Sequence, residues 1–93
     1  LPLKSLMRKS KNMVIKLTAT AAKQFKKLPL DLQKKARKQF AYLLEDLRHP
    51  SLDVKKYQGI EDVWQGRIDK GYRFYFHIIN PHYVIISIIN HPK

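Results

Sequence analysis

The residues best suited to chemistry in this chain lie in one stretch, WQGRIDKGYRFYF, residues 64–76. A turn at Asp69-Lys70-Gly71 predicts a β-hairpin in which Ile68 faces Tyr72 and Arg67 faces Arg73. Like charges directly opposed on a sheet destabilise it, so the two arginines need a compensating partner. A guanidinium fork matches phosphate oxygens two at a time, and a bound phosphate would offset the repulsion. Neutralisation by Glu61, Asp62 or Asp69, or splaying of both side chains into water, would also satisfy them.

Hairpin parity sorts the neighbours. With an odd-length turn, Trp64, Gly66, Ile68, Tyr72, Phe74 and Phe76 share one face, and Gln65, Arg67, Arg73, Tyr75 and His77 share the other. A two-residue Lys70-Gly71 turn would instead set Arg67 beside Phe74, and the clean segregation favours the odd turn. Lys55 and Lys56 alternate faces on a preceding strand, so one of them joins the arginines, unless both only protect a solvated edge. Tyr75 is placed to stack on a base or to pack on the sheet. His91 follows the last strand, and a histidine titrating near neutrality suits general acid–base work.

Other chemistries lack their residues. His49, His77, His82 and His91 show no metal-ligand spacing, and there is no cysteine. Three glycines build no phosphate-cradling loop, and no serine sits in a nucleophile elbow. No apolar run approaches the roughly 18 residues of a membrane helix, so no membrane partner is expected. The absence of cysteine fits a reducing, cytoplasmic setting. Nineteen Lys and Arg against seven Asp and Glu give a formal charge of +12. That exceeds the magnitude of about 2–8 sufficient for solubility and points to a polyanionic partner.

The elements that must position these residues follow from periodicity. Residues 1–12 are basic without a sustained period and are expected to form a flexible arm or a leader ahead of Met13; residues 13–93 form a single domain. MVIKL (13–17) reads as a strand, and Thr18 as the cap of a helix through Ala21, Ala22, Phe25 and Leu28. Leu28-Pro29 interrupts it. A second helix over about 30–48 carries Leu32, Ala36, Phe40, Leu43 and Leu47 on one face, with Lys34, Lys35, Arg37 and Lys38 on the other. Arg48-His49-Pro50 is expected to end it. Period two then returns in VKKYQG (54–59) and in strands over 63–68, 72–79 and 83–90. YVIISIIN, apolar almost throughout, predicts a central strand buried on both faces. The fold class is α+β: a two-helix antiparallel hairpin on one face of a small, mainly antiparallel sheet, in the order β-α-α-β-β-β.

This layout, with KYQG (56–59), WQGRIDKGYRFYF and the terminal NHPK, resembles the RelE/ParE superfamily of bacterial toxins from type II toxin–antitoxin modules. KYQG is similar to the family's K-L-x-G element, and the hairpin to its W-x-x-R-I…Y/H-R pattern. FKKLP and the lysine-rich second helix resemble its helical half. The resemblance implies a microbial-RNase-like fold and an antitoxin partner, acidic in its binding segment. It also implies one of two activities. RelE and YoeB relatives cut mRNA in the ribosomal A site through attack of a 2′-hydroxyl on the adjacent phosphate; ParE relatives poison DNA gyrase.

On the cleaving branch, the resemblance makes Arg73 and Arg67 the stabilisers of a pentacoordinate phosphorane. Lys56 would activate the 2′-hydroxyl or neutralise the phosphate, and His91 would protonate the departing 5′-oxygen. RNA contacts are expected from Lys34, Lys35, Lys38, Lys55, Gln65 and Tyr75. Pro92 stands where many relatives have arginine, Gln65 where RelE has lysine, and the C-terminal tyrosine has no counterpart. A gyrase inhibitor, or an inactive antitoxin-binding relative, is the alternative.

Overall fold

The computed structural model describes residues 13–57, 59 and 62–90. The expected arm over residues 1–12 lies outside them, as does His91. Strand β1 (Val14–Leu17) leads into helix α1 (Ala19–Lys27) and helix α2 (Leu30–Glu45). A 3-10 turn at Pro50–Leu52 then precedes β2 (Lys55–Lys56), β3 (Trp64–Asp69), β4 (Tyr72–Ile79) and β5 (His82–Asn90). The sheet order is β1-β5-β4-β3-β2, antiparallel except where β1 runs parallel to β5. Among the described residues no helix is long and apolar enough to cross a membrane.

Local chemistry places the helices. The Thr18 hydroxyl accepts from Ala21 N at 3.1 Å, capping α1, and donates to Ile86 O at 3.3 Å, which anchors the cap to β5. Gln33 Nε2 donates to Lys26 O and Leu28 O, closing the sharp bend between the helices. Helix α2 stops at Glu45, three residues short of the expected end. Asp46 takes an extended backbone (φ −164°, ψ 109°), and its carboxylate accepts from Arg48 N at 2.9 Å. A short acidic side chain thus supplies the backbone with an alternative to another helical turn, ahead of the proline.

The core lies between the helices and the sheet. Leu43, Leu52, Phe74, Phe76 and Ile85 are fully buried, as are Ala21 on α1 and Ala36 on α2. Phe40 meets Phe74 edge-on at 5.1 Å. The Phe74 ring lies over Gly66, where an added Cβ would fall 2.5 Å from its Cζ.

Two β-bulges set which side chains face this core. The β3–β4 turn is Lys70-Gly71, with Asp69 paired to Tyr72, and not the three-residue turn expected. Ile68 is the extra residue, so Arg67 still pairs with Arg73 and Gly66 with Phe74. The Asp69 carboxylate accepts from Gly71 N and Tyr72 N, the side-chain-to-backbone bonding that stabilises such a turn. In β5, Ser87 pairs with Tyr75 and Ile85 with Phe76, leaving Ile86 as the extra residue. Tyr83 and Ile85 face the core before this bulge, and Ile88 after it. The strand is central, but a parity switch, not burial on both faces, explains its apolar run: Ile89 is 41% exposed.

Candidate nucleic-acid interface on the open sheet face

The face of the sheet away from the helices carries the polar half of the hairpin. Lys55, Gln65, Tyr75 and Ser87 are successive register partners across β2, β3, β4 and β5. Arg67, Arg73 and Ile89 form the next row toward the hairpin turn. The structure therefore brings together Lys55, Gln65, Arg67, Arg73 and Tyr75.

Each arginine has its own partners. Arg73 Nη1 donates to Asp69 O at 2.8 Å, Tyr72 O at 3.2 Å and Lys70 O at 3.5 Å, drawing together the carbonyls of the turn. Among the described residues its hydrogen bonds all run through Nη1. Arg67 Nη2 lies 3.8 Å from Asp53 Oδ2, while its Nε is enclosed without an acceptor. Of the carboxylates expected to neutralise the pair, that of Asp69 goes to the turn amides and to Lys35 Nζ at 3.6 Å, and Glu61 lies outside the described residues. Asp62 meets His77 Nδ1 through its backbone carbonyl at 2.8 Å. Among the described residues, it is the Asp53 carboxylate that reaches Arg67.

Beside the arginines, Tyr57 meets Tyr75 edge-on at 5.2 Å. Tyr57, Val63, Tyr75, His77, Ile86, Ser87 and Ile89 line an open depression of about 380 Å³. Burial, then the neighbouring Tyr57, push the Tyr75 phenol up, and the Arg73 charge partly counters them.

Three expected lysines stand apart from this row. Lys56 pairs in register with Trp64, and its Nζ sits 5.4 Å from the centre of the Trp64 ring, on the helix side. The alternation on β2 is therefore resolved in favour of Lys55, and Lys56 is not beside the arginines. Lys34 and Lys38 are exposed on α2, whose buried face (Ala36, Gln39, Phe40, Leu43) packs on the other side of the sheet. They form a second basic surface, with Lys38 over the Tyr42 ring at 5.9 Å. Lys35 lies between the two surfaces, at Asp69.

Two residues that order the site were not singled out from the sequence. Gln39, 6% exposed in the core-facing stripe of α2, donates through Nε2 to Arg67 O at 2.8 Å and Ser51 O at 3.0 Å. It also accepts from Ser51 Oγ at 3.2 Å. Asp53 touches both Arg67 and, at 3.7 Å, Lys55. The sequence signal for Gln39 was a lone amide beside Phe40 on an apolar stripe; for Asp53 it was a carboxylate two residues before Lys55. Among the described residues no group of three His, Cys, Asp or Glu could hold a metal ion.

A two-helix layer on such a five-stranded, mostly antiparallel sheet is the architecture of the RelE, YoeB and ParE toxins. A YoeB/ParE toxin from Agrobacterium tumefaciens superposes with a TM-score of 0.74 at 13% identity, over 86% of this chain and 100% of that one. The RelBE2 toxin–antitoxin complex of Mycobacterium tuberculosis gives 0.73 at 19%, over 91% and 98%. The intact E. coli RelBE toxin–antitoxin complex gives 0.69 at 20%, over 87% and 98%. No protein-family model matches the sequence, and no curated protein does. The chain has the RelE/ParE toxin fold.

Proposed function

We propose that this chain is the toxin of a type II toxin–antitoxin pair and that it cleaves mRNA on the ribosome. The observation that carries this reading is the direct opposition of Arg67 and Arg73 on an open, cationic sheet face, with Lys55 and Gln65 alongside. Two guanidiniums that close together stabilise a dianionic phosphorane more than a monoanionic phosphodiester, which is the differential binding that catalysis requires. In the reaction, the 2′-hydroxyl gives its proton to water as its oxygen bonds to phosphorus and the P–O5′ bond breaks, leaving a 2′,3′-cyclic phosphate and a 5′-hydroxyl. His91, just beyond β5, would protonate the leaving oxygen. Lys55, which shares the arginines' face, takes the charge-neutralising role, and Tyr75 offers a ring for an unstacked base.

The lysines of α2 would bind ribosomal RNA, consistent with a surface distinct from the cleavage face. An antitoxin with an acidic segment is the expected inhibitor, since RelE-fold relatives have been solved as toxin–antitoxin complexes. A cytoplasmic site of action follows from a ribosomal target.

Primer extension on a reporter mRNA in cell-free translation tests the reading, with and without the protein and again without ribosomes. Cuts that need ribosomes and vanish with Arg73→Ala are expected. Intact mRNA and undisturbed translation would overturn it and turn attention to a DNA supercoiling assay.

A further inference from the structure

Asp53 follows the 3-10 turn Pro50–Leu52 with a left-handed backbone, φ 47° and ψ 49°, a conformation in which Asp and Asn are enriched among non-glycine residues. Its Oδ2 lies 3.8 Å from Arg67 Nη2 and 3.7 Å from Lys55 Nζ, so one carboxylate oxygen serves two cations. Both separations exceed a direct hydrogen bond, and all three side chains are about half exposed. The contact is therefore loose and within reach of solutes.

Its position is nonetheless built from the core. Gln39 Nε2 binds the carbonyls of both Ser51 and Arg67, tying the turn that carries Asp53 to the strand that carries Arg67. Ser51 Oγ returns a bond to Gln39 Oε1, and His49 Nδ1 accepts from Ser51 N at 3.2 Å. The turn is thus held on two sides, with Asp53 beside the cations.

We infer that Asp53 is a resident counter-anion of the cationic face, occupying Arg67 and Lys55 until an RNA phosphate displaces it. This rests on the reading of the open face as a phosphate site. Asp53 then acts in opposite directions on two properties. It relieves the mutual repulsion of Arg67, Arg73 and Lys55 in the free protein, and it competes with RNA for two of them. A residue with only a structural role would lower both properties on removal.

The test is fluorescence anisotropy of the full chain with a labelled 2′-O-methyl oligoribonucleotide, which can be bound but not cleaved, over a range of salt. Asp53→Asn preserves size and backbone preference. It is expected to bind about two- to fivefold more tightly at low salt, the worth of an exposed ion pair. The logarithmic salt dependence should steepen by up to about two phosphate contacts, as Lys55 and Arg67 become available. The thermal midpoint should fall. Asp53→Gly, compatible with the left-handed backbone, should bind in the same direction. Unchanged or weaker binding in both variants, with binding lost in Arg73→Ala, overturns the inference and leaves the arginine site standing. No binding by the wild type, or binding that survives Arg73→Ala, overturns the site and the inference together.

Discussion

Arg67 and Arg73 are register partners across β3 and β4, yet each guanidinium has a separate partner: the Asp53 carboxylate for one, the turn carbonyls for the other. The like-charge pair is tolerated because neither charge depends on the other's side chain for solvation. The carbonyls gathered by Arg73 carry no formal charge, and among the described residues no carboxylate forms a salt bridge with it.

Arg73→Ala should reduce ribosome-dependent cleavage by about 10²–10³-fold, the usual cost of removing one donor to a developing oxyanion. Loss of the bonds to Asp69, Lys70 and Tyr72 should cost about 1–2 kcal/mol of stability. Single-turnover cleavage rates beside urea unfolding separate the two effects. A folded variant that cleaves at the wild-type rate removes Arg73 from the chemistry.

Gln39→Leu leaves the carbonyls of Ser51 and Arg67 without their donor in a part-buried setting. A loss of about 1–3 kcal/mol is expected, measurable as a lower urea midpoint with unchanged slope. A variant as stable as the wild type would show that the amide is dispensable to the fold.

Gly66→Ala places a methyl group 2.5 Å from Phe74 Cζ, against a fully buried ring. Overpacking should cost about 1–3 kcal/mol. Gly66→Ala combined with Phe74→Leu should recover part of the loss in a double-mutant cycle, because the shorter side chain makes room. Strict additivity would contradict the close approach.

Burial first, and Asp46 second, raise the Tyr83 phenol above its ordinary value of 10.0. Stability from the folded protein's extra hold on this proton is fully present below the ordinary tyrosine value and is lost as pH rises through the raised one. Unfolding midpoints should therefore fall as pH climbs beyond about 10, and Tyr83→Phe should flatten that fall. An equal alkaline decline in both proteins would place the effect elsewhere.

Much of this fold was legible because its signals are local. Thr18 as a cap, Pro29 as an interruption and the alternation of residues 64–76 each follow from short-range sterics and polarity, and each appears as read. Errors arose where one residue changes a count. A bulge at Ile68 compensates for the shorter turn, so the arginines were aligned correctly through a turn of the wrong length. The end of α2 was missed because the side chain of Asp46 competes for backbone amides, an effect periodicity does not report. At the site, the arginine face was readable from parity. The choice between Lys55 and Lys56 required the β2–β3 register, and the roles of Asp53 and Gln39 required the turn to be folded against the sheet.

The parallel pairing of β1 with β5 joins segments from opposite ends of the domain; Thr18 and Ile86, bonded beside that seam, are 68 positions apart. Such a contact closes only late, because a long chain must be brought together before the pairing stabilises it. During synthesis, β1 lacks its sheet neighbour and Thr18 its bond to Ile86 until β5 has cleared the exit tunnel. The hairpin that displays the arginines precedes β5 and so emerges before the strand that completes its support. A protein proposed to act on ribosomes thus completes its sheet only after β5 has left the ribosome that made it.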